Sequence, residues 1–273
     1  MSPFFSIITP LYNGASFICD YVESLKSQRF TDWESIVIDD ESTDSSVDIL
    51  LDLIRDDPRF NLVRPARSSS NTTPKGPFKP RNEGLSLANG KYICYLDIDD
   101  YWLPNKLNDQ YVCLSANPAL MLLYGNYYKV DSSLARGYLK PRIDIIPVKL
   151  QVFFWNPIPN LTSCINANVA KSHNFMPIPH EDYIYWFYII KQLDQFQIAS
   201  TSSPQALYRC SPSSVSRNKV KVLRWWLQCY SLIGYNKPLS FVLLLQKLAF
   251  ELVEYLLLRA NVFMNYPSSV FRS

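Results

Sequence analysis

The stretch "YLDIDDYW", residues 95–102, sets three carboxylates within four positions: Asp97, Asp99 and Asp100. They close an apolar run, Tyr92-Ile93-Cys94-Tyr95-Leu96. Clustered acids in that position raise one another's pKa and cost stability unless a positive charge offsets them. In an extended segment residues i and i+2 share a face, so Asp97 and Asp99 can hold one ligand between them. All-oxygen ligation suits a hard divalent ion, Mg2+ or Mn2+, which keeps open positions for phosphate oxygens. The competing reading is a solvated turn capping a helix that Pro104 begins. Asp39-Asp40 ends a second apolar run, where one carboxylate can accept from a base N–H or from ribose hydroxyls. Capping of a helix near Ser42-Thr43 explains the same pair. Glu181-Asp182 opens a helical pattern; one acid there can serve as general base, although the helix dipole alone also favours acids in a first turn.

The elements that must position these groups alternate. "FFSIITP", "WESIVIDD", "FNLVR" and "KYICYLDID" read as strands, separated by helical patterns through Phe17, Ile18, Val22 and Leu25 and through "STDSSVDILLDLI", entered at a Ser/Thr cap. A loop runs from Ala66 to Pro80, and a short helix closes at Asn89-Gly90, a C-cap signal. Strands alternating with such helices predict an α/β fold with a parallel, doubly wound sheet, in which ligands bind beyond the carboxyl ends of the strands. Thr9-Pro10-Leu11-Tyr12-Asn13, Asp39-Asp40 and the acid cluster all fall at such ends, so three separate loops converge on one edge. Beyond Asp100, "MLLYGNYYKVD" (121–131) reads as a strand, "NPIPNLTSCI" (156–165) as a turn leading into another, and "EDYIYWFYIIKQL" (181–193) as a helix. From about Arg217 the pattern is wholly helical.

With 273 residues, 48% hydrophobic and 19% charged, the chain has a globular composition with a full core. A net charge of +3 gives no argument for nucleic acid. Six cysteines without a CxxC pair read as reduced, buried thiols of a cytoplasmic protein, and two histidines exclude a multi-histidine metal site. The N-terminal "MSPFFSIITP" lacks the basic and apolar regions of a signal peptide.

Four motifs stand in consecutive register over roughly residues 4–110: Pro-x-Tyr-Asn at 10–13, Asp-Asp-x-Ser-x-Asp at 39–44, Arg-Asn-x-Gly at 81–84 and Asp-x-Asp-Asp at 97–100. This set resembles the family 2 glycosyltransferases of GT-A fold, in particular those of bacterial surface polysaccharides. The family's usual Gly after the second-strand Asp-Asp is Glu41 here, a departure expected to alter only the turn.

The resemblance implies an inverting, metal-dependent glycosyltransferase. It would move a sugar from a nucleotide-diphosphate donor, UDP favoured, to a hydroxyl of a glycan or lipid-linked saccharide acceptor. Polyprenyl phosphate as acceptor, or an inactive nucleotide-sugar-binding module, are the alternatives. By the same resemblance Thr9, Pro10 and Tyr12 line the base pocket, and Asp39 or Asp40 reads base and ribose. Arg81 sits near the diphosphate or donor sugar, and Asn82 shapes that loop. Asp97, Ile98 and Asp99 form the DXD-type donor site, with Asp99, Asp97 and Asp100 as ligands for Mn2+ or Mg2+, Asp99 foremost. Asp182 is the implied catalytic base, with Glu181 its neighbour. Trp155, Tyr127 and Tyr128 are candidates for an acceptor-stacking wall, with core packing as the alternative for each. The domain reading is a catalytic unit over 1–215, split into a nucleotide-sugar half (1–110) and an acceptor half (111–215), followed by a helical extension over 216–273.

In that extension Lys247, Glu251 and Glu254 form a narrow polar stripe on an otherwise apolar helix. Their charges argue against a membrane span. Arg217, Lys219, Lys221 and Arg224 precede Trp225-Trp226, a pattern that fits an anionic membrane surface as well as a solvated basic face. The expectation is a cytoplasmic protein, peripheral on the cytoplasmic face of the inner membrane.

Overall fold

A computed structural model describes residues 2–65, 76–134, 137–140, 146–210 and 219–259. Its elements in chain order are β1 (Phe5–Leu11), α1 (Ile18–Lys26), β2 (Trp33–Asp39), α2 (Ser46–Ile54), β3 (Phe60–Val63), α3 (Phe78–Leu87), β4 (Tyr92–Tyr95), β5 (Tyr101–Trp102), α4 (Lys106–Ala116), β6 (Leu122–Val130), β7 (Gly137–Leu139), α5 (Val148–Gln151), β8 (Cys164–Asn166), α6 (Ala167–Ala170), α7 (Glu181–Gln192), β9 (Ile198–Arg209), α8 (Lys219–Leu232) and α9 (Lys237–Arg259).

The strands join in one sheet of order β3-β2-β1-β4-β8-β6-β9-β5, with β7 on β6. The first four strands are parallel, in register Leu11↔Asp39 and Ile8↔Tyr95. β8 runs antiparallel between β4 and β6, and β6 and β9 pair parallel across a bulge. This is the expected α/β architecture with a mixed second half.

Strand alternation divides the core between the two faces of the sheet. Ile8, Ile36, Ile38, Ile93 and Tyr95 face α3, α7 and α8, while Phe5, Ile7, Leu11, Val37 and Cys94 face α1, α2 and α4. Gly84 lets α3 lie on the sheet, since a Cβ there would sit 2.4 Å from Ile8 Cγ2.

Three local expectations change. Residues 66–75 of the Ala66–Pro80 loop lie outside the described residues, but α3 already starts at Phe78. Pro80 falls in its first turn, where a missing N–H costs nothing. Ala88, not Gly90, caps α3; Gly90 is required instead because a Cβ would meet Ser6 N at 2.5 Å. Of the six free cysteines, Cys94, Cys164 and Cys229 are buried, whereas Cys19 and Cys210 are exposed.

Candidate active site

The ends of β1, β2 and β4 form one edge. Their loops are tied together by side-chain oxygens accepting from backbone N–H groups. Asn13 Oδ1 accepts from Thr43 N at 2.8 Å, Asp39 Oδ1 from Ser42 N at 3.1 Å, and Asp44 from Ser46 N at 3.0 Å and Ala15 N at 3.2 Å. Ser45, the residue before α2, makes no side-chain cap, so Asp44 organises this entry. Glu41 adopts φ 64°, the left-handed conformation that the family's Gly would meet without strain. Pro10 and Tyr12 lie at the edge, with Tyr12 half exposed, and Asp39 is buried with Arg64 Nε 3.5 Å from its Oδ2. Thr9 differs from the expectation. It is fully buried on the opposite face of β1, where Tyr21 Oη donates to its hydroxyl at 3.0 Å, so its side chain is not open to a base.

Arg81 stands at the centre of the site. Only 5% of its side chain is exposed, yet it donates to Asp97 Oδ1 at 2.7 Å and to Glu181 Oε1. Burial alone would lower its pKa; Asp97, Glu181 and Asp182 more than offset this and raise it. Nε of Arg81 is buried without a hydrogen-bond partner. Under the guanidinium, 5.5 Å from its carbon, lies the Phe175 ring, stacked on Tyr185 at 4.1 Å. Asn82 makes a reciprocal pair with Phe175, donating to its carbonyl and accepting from its N–H, both at 2.8 Å. Its amide is therefore consumed in fixing that platform rather than in holding a ligand.

The three aspartates of the opening cluster separate. Asp97 belongs to Arg81 and remains 40% exposed. Asp100 is buried and accepts from Arg209 N at 3.1 Å; desolvation, reinforced by Asp99 and Asp97, holds its pKa well above the usual range. Its burial and its bond to the β9 backbone make it a structural acid, contrary to the expectation that it ligates a metal. Asp99 makes no hydrogen bond or ion pair with another described side chain. Desolvation and the charge of Asp97 push its pKa up to about 6.

Among the described residues no three acids, histidines or cysteines converge as a ready cation site. The donor chemistry nevertheless fits a hard divalent ion held by Asp99, with Asp97 beside it and most positions left to ligand oxygens. Much of the positive charge that the cluster needs comes from the protein itself, from Arg81 and Arg209.

Arg209, at the end of β9, escaped the reading of the sequence. Its Nε donates to Asp99 O at 2.9 Å, Nη1 to Ser132 O at 2.7 Å and Nη2 to Asp20 Oδ2 at 2.6 Å. The available signal was an arginine at the carboxyl end of a twelve-residue strand. Asn156 was missed likewise; it donates to Asp182 Oδ2 at 2.8 Å. Glu181, largely buried, has its pKa pushed up to about 7 by desolvation, against the pull of Arg81 and with the help of Asp182. Of the stacking-wall candidates, Tyr127 and Tyr128 follow the core-packing alternative, in different clusters on opposite faces of β6, and Trp155 Nε1 donates to Gln151 at 3.3 Å.

The sheet is of GT-A type, with buried arginines between the acidic loops at one edge, and comparison with known proteins agrees. The model of Glycosyl transferase family 2 matches residues 6–214, and the chain belongs to that family. It is 31% identical over 231 residues to an uncharacterized glycosyltransferase of Haemophilus influenzae, covering 84% of this chain and 88% of that one. It is 30% identical over 221 residues to the UDP-Glc:alpha-D-GlcNAc-diphosphoundecaprenol beta-1,3-glucosyltransferase WfgD of Escherichia coli, covering 80% and 82%. In fold it resembles residues 1–349 of TarS from S. aureus in complex with UDP-GlcNAc, at TM-score 0.66 and 20% identity over 89% of this chain and 70% of that one. The mannosyltransferase PcManGT of Pyrobaculum calidifontis, in complex with GDP-Man and Mn2+, matches at TM-score 0.61 and 15% identity, over 89% and 68%. The protein is thus a family 2 glycosyltransferase.

Proposed function

We propose that this enzyme transfers a hexose from a UDP-sugar, with inversion, to a hydroxyl of a lipid-linked saccharide. The observation that carries the reading is the Asp97–Arg81–Glu181 bridge, which joins the nucleotide-side loop to the helix bearing Asp182. Pro10 and Tyr12 flank the base, and Asp39 and Asp40 take its polar edge or the ribose. Arg81 neutralises the acids beside the diphosphate. Glu181 is engaged with Arg81, which leaves Asp182, oriented by the Asn156 amide, as the base. Asp182 takes the acceptor hydroxyl's proton while the oxygen bonds the anomeric carbon. The bond from that carbon to the phosphate oxygen breaks, and its electron pair leaves with UDP. A bound Mn2+ or Mg2+ on Asp99 and Asp97 would supply charge stabilisation for that leaving group. The lipid-linked acceptor is favoured by the similarity to WfgD, a diphosphoundecaprenol-directed glucosyltransferase.

The catalytic unit is read as 1–215 and the extension as 216–273. No helix among the described residues is long and apolar enough to cross a membrane. α9, however, turns Phe241, Leu245, Leu248 and Leu252 outward at i, i+4, i+7 and i+11. With Lys221, Arg224 and Lys237 nearby in sequence, this stripe suits peripheral contact with an anionic bilayer on the cytoplasmic face.

The test is a screen of UDP-, GDP- and dTDP-sugars with Mn2+ and a diphosphoundecaprenol-linked saccharide. UDP-sugar turnover is expected, and Asp182→Asn should cut transfer by about 10²-fold or more with UDP affinity kept. Normal transfer by Asp182→Asn would overturn the base assignment. UDP binding without transfer to any acceptor would make the chain a binding module.

A further inference from the structure

The two acids at the start of α7 are held from outside the family-matched span. The residue before them, His180, adopts φ 53° and ψ 42°, a left-handed conformation that is strained for any residue but glycine. Such strain persists where the surroundings over-determine it, and it clusters at functional sites.

Here the surroundings are α8, which begins after residue 214, where the family match ends. The imidazole lies 4.9 Å from the Trp226 ring and 5.7 Å, edge to face, from Trp225. Trp226 also packs on Tyr183 at 4.9 Å, and Cys229 Sγ donates to Pro179 O at 3.4 Å. On the other flank, Tyr230 Oη donates to Phe154 O at 3.0 Å and Tyr235 Oη to Phe153 O at 3.1 Å. That brings the same helical extension to the segment carrying Asn156, the partner of Asp182. Lys247 of α9 reaches within 4.4 Å of the Trp226 ring centroid.

We infer that α8 is a positioning element for the catalytic acids: Trp225 and Trp226 clamp His180 in its left-handed turn, and that turn directs Glu181 to Arg81 and Asp182 to Asn156. This inference rests on the assignment of Asp182 as base.

The full chain is tested as Trp226→Ala, Trp226→Phe and Trp226→Ala combined with His180→Gly. UDP-glucose turnover with Mn2+, UDP affinity by calorimetry and the imidazole NMR signals are measured for each. Trp226→Ala is expected to lower kcat about tenfold with less than a twofold change in UDP Kd, and Trp226→Phe to retain most activity. Adding His180→Gly should regain most of the lost kcat, because Gly enters the left-handed region without strain. The His180 signal should carry a ring-current displacement that Trp226→Ala removes, with His173 as internal reference. Equal losses of kcat and UDP affinity, no rescue by Gly, or an undisplaced His180 signal would overturn the clamp. A wild-type chain that binds UDP but turns nothing over would instead overturn the proposed function, and the imidazole signal would still decide whether the clamp exists.

Discussion

At the carboxyl edge of the parallel strands charge is buried and paired, whereas on the outer side of α9 apolar side chains stand in solvent. Both departures cost free energy in the isolated chain. The first is offset internally: two buried arginines take up Asp97, Glu181 and Asp20 and hold the backbone around Asp99. The second has no counterpart among the described residues. The difference teaches that the site is largely preorganised by its own charges, whereas the outer α9 surface finds no such offset among the described residues.

The largest effect should come from breaking the paired edge. Arg81→Met leaves the largely buried Glu181 without its cation, and loss of one partner of a buried pair costs about 3–5 kcal/mol. Denaturant titration should register a loss of that size, with transfer abolished; unchanged stability would mean that the edge is not internally balanced. On the other surface, Leu245→Asp with Leu248→Asp should weaken co-sedimentation with anionic liposomes at least about tenfold, because burying a single leucine is worth ~1.5–3 kcal/mol. Wild-type binding that is indifferent to lipid charge, or unaltered in the double variant, would remove the membrane as the missing counterpart.

A third measurement probes the unpaired acid within the paired edge. Burial and the charge of Asp97 raise the Asp99 pKa from the ordinary carboxylate range to about 6, so the folded state binds an extra proton across that interval and loses stability as pH rises through it. Asp99→Asn should therefore be more stable than wild type at pH 7, by up to about 3 kcal/mol, with that pH slope gone and donor turnover lost. Identical pH slopes would show that Asp99 is already compensated. The smallest effect is expected at the turn: Glu41→Gly should raise stability by about 1 kcal/mol, since only the left-handed strain is relieved.

Much of the edge was legible because local patterns suffice for it. Alternating apolar runs marked β1, β2 and β4, and acids or Tyr-Asn at their ends marked the loops that converge. The roles of individual acids were not legible. Asp97, Asp99 and Asp100 are equivalent as letters; their differences come from Arg81, sixteen positions away from Asp97, and from the Arg209 backbone, 109 positions away from Asp100. Thr9 was misread because Tyr21, on a helix, claims its hydroxyl. In α9, Lys247 of the polar stripe lies over Trp226 while Phe241, Leu245, Leu248 and Leu252 face out. Periodicity defines two faces of a helix but not which one meets the protein. Arg217 and the side chains of Lys219, Glu251 and Glu254 lie outside the described residues.

By itself the order of apolar runs and turn residues determined the doubly wound half-sheet and the edge on which the acidic loops converge, because those depend on local period and on a fixed chain direction; the family followed from the resemblance carried by four motifs in register and is the one whose model matches residues 6–214. Only the tertiary structure decided which acid is neutralised, which is buried as scaffold and which stays available. It also decided that the fully buried Lys106 lies 3.5 Å from the Trp102 ring. The physical reason is the same in each case. The energy of a charge depends on its desolvation and on partners within a few ångströms, and those partners come from parts of the chain that only folding brings together.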